Sequence, residues 1–152
     1  MFRKILLATD FSPIAERAED ETLALAHAFG AQVIALHAIE PIETDDESMF
    51  ADFYVQLTRA AEHKLAALRA RFEARGVTCK PEIRVERRWQ AIVDTARSRG
   101  AELIVLGSHA PRMAAPGLGT TSHKVFLSAP VPVLFVRLPA AEERAAEAAS
   151  AS

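Results

Sequence analysis

The chain of 152 residues lacks the marks of several protein classes. It has one cysteine, Cys79, so no internal disulfide can form, which fits a reducing cytoplasm. Its longest apolar runs are strand-length, well short of a membrane span. No basic run stands out and the formal net charge is −2, so no nucleic-acid surface is indicated. The N-terminal stretch meets the polar pair Thr9-Asp10 after only a short apolar run, where a secretory signal needs a longer one and a small-residue cleavage site. Neither an internal repeat nor a linker divides the chain. What it does have is a soluble globular composition, 50% hydrophobic and 25% charged, at a length that suits one domain.

The apolar pattern alternates between two periods. Ile5 to Ala8 reads as a buried strand. Ser12 is a natural N-cap with Pro13 at the first helical position, and Ile14, Ala18, Thr22, Leu25 and Phe29 then form a helical stripe closed by Gly30. A second strand spans Gln32 to Ile39. After an acidic connection (Glu43 to Glu47), the longest helix is expected from about Ser48 to Arg75, burying Phe50, Phe53, Leu57, Ala61, Leu65, Leu68 and Phe72. Thr78 to Glu86 holds a third strand of mixed polarity, as at a sheet edge. Trp89, Ile92, Val93 and Ala96 mark a shorter helix ending at Gly100. This order predicts one doubly wound, largely parallel α/β sheet. The domain is expected to cover residues 1–138, with 139–152 an Ala/Glu-rich tail, either a frayed helix or disordered.

The segment from Ala101 to Arg137 carries the functional signal. Leu103 to Leu106 is an uninterrupted apolar strand that stops at Gly107. A loop rich in Gly, Pro, Ser and Ala follows, and Gly119-Thr120-Thr121-Ser122 opens a helix closed by Ala129-Pro130. Val131 to Val136 forms the last strand, and Pro132 within it points to a sheet edge. Strand, small-residue loop and helix start are the unit with which α/β proteins hold phosphate, on backbone N–H groups that lack helical partners. Glycine keeps a Cβ out of the way of those groups.

Four pieces of the chain, KILLATDFS, VIALHAIEP, GAELIVLGSHA and GTTSHKVFLSAPVPVLFVR, together resemble the universal stress protein family over Phe2 to Arg137. The resemblance implies a five-stranded sheet of order 3-2-1-4-5 with helices on both faces. It also implies a homodimer built through the last strand (Val131 to Val136), and a role in stress survival. One branch of the family binds ATP through glycine, two residues, glycine, nine residues, then glycine with Ser or Thr. Gly107 and Gly119-Thr120 match the ends of that pattern. Ala110 stands at the second glycine, and eight residues separate it from Gly119. If that position requires a positive φ, alanine costs about 1 kcal/mol or more. Pro111 and Pro116 stiffen the loop, and Gly117 returns some freedom. By the resemblance, Asp10 faces the ribose or adenine and Ala38 lines the adenine pocket. Gly107, His109 and Ala110 follow the ribose and phosphates, with Gly119, Thr120, Thr121 and Ser122 on the phosphate oxygens.

Each of these residues also has a plainer reading. Asp10 at a strand end can hydrogen-bond the start of the following helix. One of Thr120, Thr121 and Ser122 can be an N-cap, a role that coexists with phosphate binding. His109 and His123 lack a carboxylate or cysteine at ligand spacing, so no metal site is assigned. His37 reads as a packed or hydrogen-bonded strand residue, and Cys79 as a structural thiol. Lys124 follows no Walker spacing. Arg87 and Arg88 read as a solvated helix start, with Trp89 packed inward. No nucleophile–base–acid set emerges from spacing, so hydrolysis is at most slow. The expectation is a cytoplasmic homodimeric stress protein binding ATP or a related adenine nucleotide as a sensor or switch. Phosphates, with Mg2+ bridging them, would rest on backbone N–H groups and hydroxyls rather than on a lysine. The rival expectation is a dimeric interaction module without nucleotide, and a nucleotide-processing enzyme ranks third. Neither membrane nor nucleic acid is an expected partner.

Overall fold

The computed structural model describes residues 1–108 and 119–151. Five parallel strands, β1 (Lys4–Ala8), β2 (Gln32–Ile39), β3 (Cys79–Val85), β4 (Leu103–Gly107) and β5 (Val133–Val136), lie in the order β3-β2-β1-β4-β5. That is the expected sheet. β1 is central and apolar from Ile5 to Ala8 because both of its neighbours and both layers of helix exclude water from it. Its register sets Ile5 against Val33 on one side and Leu103 on the other, with Leu6 against Ile34 and Ile104.

The side chains divide by parity. Ile5, Leu7, Val33, Ala35 and Val105 face α1 (Pro13–Phe29) and α2 (Ala51–Glu73). Leu6, Ile34, Leu36, Ile104 and Leu106 face α3 (Arg88–Arg99) and α4 (Thr120–Ser128). Right-handed crossovers thus place two helices on each face. Capping follows the sequence. The Ser12 side chain accepts from the Ala15 amide and Pro13 opens α1, while Gly30 (φ 64°) and Gly100 (φ 65°) close α1 and α3 in the left-handed conformation. A fifth helix, α5, spans Ala140–Ser150.

Three details differ from expectation. The long helix begins as a 3-10 turn (Glu47–Phe50) before α2, whose buried residues are Ala61, Leu65, Leu68 and Phe72. Phe53 and Leu57 are 45% and 37% exposed instead. A helix of 23 residues is about 34 Å long, whereas the eight-residue β2, one of the two strands it packs on, runs about 26 Å, so the first turns of α2 overhang the sheet. In α1, Ala26 takes the buried place given to Phe29, which is 39% exposed and packs edge-on against Phe2. Pro132 lies just before β5 rather than within it. Its carbonyl accepts from the Ile104 amide at 3.0 Å, so the edge strand begins with a residue that need only accept.

Candidate functional site

β1 is followed by α1 on one face of the sheet, and β4 by α4 on the other. A crevice opens there, at the carboxyl ends of the strands, where doubly wound sheets take ligands. It forms a cavity of about 180 Å3. Asp10, Ala38, Gly107, Gly119, Thr120, Thr121 and Ser122 all line it. Four separate segments of chain therefore meet at one place. His109 and Ala110 lie outside the described residues.

Apolar walls make up the inner end of the cavity, from Ala8, Leu36, Ile92 and Leu106. The outer end is polar. Asp10 Oδ1 accepts from the Ser12 amide at 3.0 Å, and Oδ2 lies 4.0 Å from the Arg88 guanidinium. The helix-start role and the cavity-facing role of Asp10 are thus both present in its geometry. Gly107 is a glycine for a reason internal to the protein: a Cβ would come within 2.9 Å of the Ile14 carbonyl oxygen and side chain. It lets α1 start hard against the end of β4.

Gly119, not a hydroxyl residue, is the N-cap of α4, and no described side chain caps that end. Its carbonyl takes the first helical bond from the His123 amide at 2.8 Å, which leaves the amides of Thr120, Thr121 and Ser122 without helical acceptors. Together with the helix dipole these amides can hold an anion.

Behind Asp10 lies a network that the sequence did not disclose. Phe11 holds a positive φ of 61°, which costs a non-glycine residue about 1–2 kcal/mol. Its amide donates to Thr9 Oγ1 at 3.1 Å, and that hydroxyl donates to Glu19 Oε1 at 2.8 Å. Arg71 Nη2 donates to Glu19 Oε2 at 3.1 Å. His37 Nδ1 donates to the Thr9 carbonyl at 2.9 Å, and its ring stacks on Phe11 with centroids 4.8 Å apart. Burial pushes the Glu19 carboxyl above its ordinary range, against the opposing pull of Thr9 and Arg71. The sequence signal was a carboxylate next to Ala18 on the buried stripe of α1, a position that demands a partner. Cys79, buried at the start of β3, has its thiol pushed up to about 11 by burial, so it stays protonated at neutral pH.

Fold and crevice define a doubly wound α/β protein with a cavity at the carboxyl ends of its strands. The model of the universal stress protein family matches residues 1–137, and the chain belongs to that family. A curated relative from Thermus aquaticus, the universal stress protein in the QAH/OAS sulfhydrylase 3′ region, is 38% identical over 144 residues, spanning 90% of this chain and 100% of the relative. The solved structure of MJ0577, a universal stress protein of Methanocaldococcus jannaschii, aligns with TM-score 0.82 at 30% identity, covering 92% of this chain and 99% of that one. A universal stress protein solved in complex with cAMP aligns with TM-score 0.71 at 25% identity, covering 89% and 97%. Among the described residues no helix is long and apolar enough to cross a membrane.

Proposed function

We propose that this protein binds an adenine nucleotide in the cavity between β1 and β4 and acts as a cytoplasmic sensor or switch in a stress response. The observation that carries the reading is the convergence of Asp10, Ala38, Gly107 and the uncapped start of α4 on one cavity with an apolar inner end. The base would enter between Ala38, Leu36 and Ile92, the ribose would meet Asp10, and a phosphate would rest on the amides of Thr120 to Ser122. The relative solved with cAMP supports the ligand class. ATP is the nucleotide we assign, with Mg2+ arriving on its phosphates, since Asp10, the one carboxylate lining the cavity among the described residues, is already engaged by Ser12 and Arg88.

Denaturing the purified protein in acid and analysing the supernatant tests the reading, followed by calorimetric titration of emptied protein with ATP and Mg2+. Released adenine nucleotide, or saturable binding weakened more than about tenfold by Asp10→Ala and by Gly119→Val, is the expected result. Gly119 has φ −59° and ψ 165°, which any residue adopts, so valine there obstructs the cavity without straining the chain. No released nucleotide and no heat at millimolar ATP would favour the second reading, a protein-interaction module. One observation speaks for that module: Phe126 and Leu127 on α4 are 62% and 68% exposed. In either reading the chain forms a homodimer through β5, an apolar edge that a second copy would cover.

A further inference from the structure

A second and more open cavity, of about 490 Å3, adjoins the first and shares Arg88, Thr120 and Thr121 with it. Its lining adds two more cations, Arg87 and Lys124, against two carboxylates, Glu40 and Glu43. With Asp10 beside Arg88 the carboxylates equal the cations in number, but they hold them loosely. Arg87 pairs with Glu43 at 2.8 Å, but both side chains are exposed, and such a pair contributes little and exchanges easily. Arg88 stands 4.0 Å from Asp10 at the boundary between the cavities. Lys124 Nζ sits 5.9 Å from the ring centroid of Trp89, and among the described residues it has no carboxylate within salt-bridge distance. The start of α3 enters the same space. Its N-cap, Arg87, makes no side-chain cap, and the Arg88 amide reaches Glu40 only at 3.4 Å. Three cations and the amide ends of two helices therefore converge on a cavity continuous with the proposed nucleotide site.

We propose that this outer cavity receives the terminal phosphoryl groups of a nucleoside di- or triphosphate whose nucleoside occupies the inner one. The inference rests on the nucleotide reading of the inner cavity and adds a selection to it: polyphosphates are preferred over monophosphates and cyclic nucleotides. A single phosphate is satisfied by the amides of α4 and leaves Arg87 and Lys124 to solvent. A longer phosphate chain crosses Thr120 and Thr121, which line both cavities, and meets the cations beyond. Phosphoryl groups carry more charge than the carboxylates they would displace from the exposed guanidiniums. Sequence reasoning assigned the phosphates to amides and hydroxyls alone because Lys124 has no Walker spacing. The fold supplies the cations instead from two helices whose starts are more than thirty residues apart in the chain.

Trp89 is the only tryptophan and lines the outer cavity, so its fluorescence reports that cavity directly. Emptied full-length protein is titrated with ATP, AMP and inorganic tripolyphosphate, with calorimetry in parallel. ATP is expected to bind at least about tenfold more tightly than AMP and to change Trp89 emission, while AMP changes it little. Arg87→Gln with Lys124→Gln, both at exposed positions outside the inner cavity, should bring ATP to within about twofold of AMP without altering AMP affinity. Raising the salt should narrow the ATP preference in the same way. Equal affinities for ATP and AMP, or a double variant that weakens both alike, overturns the inference while leaving the nucleotide reading intact. Tripolyphosphate binding without any adenine nucleotide binding overturns the nucleotide reading and the shared site together. Silence from all three ligands does the same.

Discussion

The two faces of the sheet carry equal numbers of helices and put them to different uses. On one face, α1 and α2 of 17 and 23 residues close over the strands with Leu65, Leu68 and Phe72, all almost fully buried. On the other, α3 and α4 have 12 and 9 residues and contribute mostly smaller groups, Ala91, Ala96, Ile92 and Val125. Among the described residues, their starts leave the ends of β1 and β4 uncovered, and the cavities lie there. Polar groups differ in the same sense. The first face buries Glu19 with Thr9 and Arg71 as partners, whereas α3 buries Trp89 Nε1 and Thr95 Oγ1 with no partner among the described residues. One face supplies stability. The other is more thinly packed and leaves the cavities in which we propose that a nucleotide binds.

Truncating one large side chain on each face tests that division most severely. Phe72→Ala removes a ring from the filled face and should cost about 3–5 kcal/mol in chemical denaturation. The folded fraction should keep its nucleotide affinity within about twofold. Ile92→Ala, on the wall of the inner cavity, should cost less because its surroundings are already open on one side. It should weaken nucleotide binding by about tenfold, as lost burial of a few methyl groups implies. Equal losses of affinity in both variants would break the comparison.

Much of this arrangement was legible in the sequence, and the reason is local. Strands buried on both faces are continuous apolar runs, so β1, β2 and β4 announced themselves, and Gly30 and Gly100 marked helix ends. Strand order came from the family resemblance rather than from pattern. The exposure of Phe53 and Leu57 was not legible, because periodicity shows which side of a helix is apolar and not how far the partner sheet extends. At the site, residues at strand ends and helix starts were found by position. Arg88 and Glu19 were missed because their partners, Asp10, Thr9 and Arg71, come from other elements. The plain reading of Gly107 was missed for the same reason, since Ile14 alone explains it.

At β5 the distinction between faces runs out. Val136 is 7% exposed and belongs to the filled face, while Leu134, two residues earlier on that side, is 38% exposed. Leu134→Lys should therefore convert a dimer into a monomer in sedimentation or sizing, at a cost of less than about 1 kcal/mol to the monomer fold. Lysine at Val136 would unfold the chain instead and is the wrong variant for the purpose. A wild-type chain that stays monomeric at high concentration removes the shared edge from the account.

The smallest effect concerns the one carboxylate that the filled face buries. Burial is the leading influence on Glu19 and raises its pKa, Glu16 and Asp20 add to the rise, and the Thr9 hydroxyl and Arg71 oppose it. A carboxyl raised on folding binds its proton more tightly in the folded state. Its contribution to stability is complete below the ordinary value of 4.5 and is lost as pH climbs through the raised one. Glu19→Gln keeps an acceptor for Thr9 and cannot ionise. The stability of this variant relative to wild type should therefore rise over that window and level off above it, in denaturation curves taken across the acid-to-neutral range. The opposite slope, with wild type gaining on the variant as pH rises, would mean that Arg71 and Thr9 outweigh burial. The Thr9–Glu19 link that steadies the Phe11 turn behind Asp10 would then be held by charge rather than by packing.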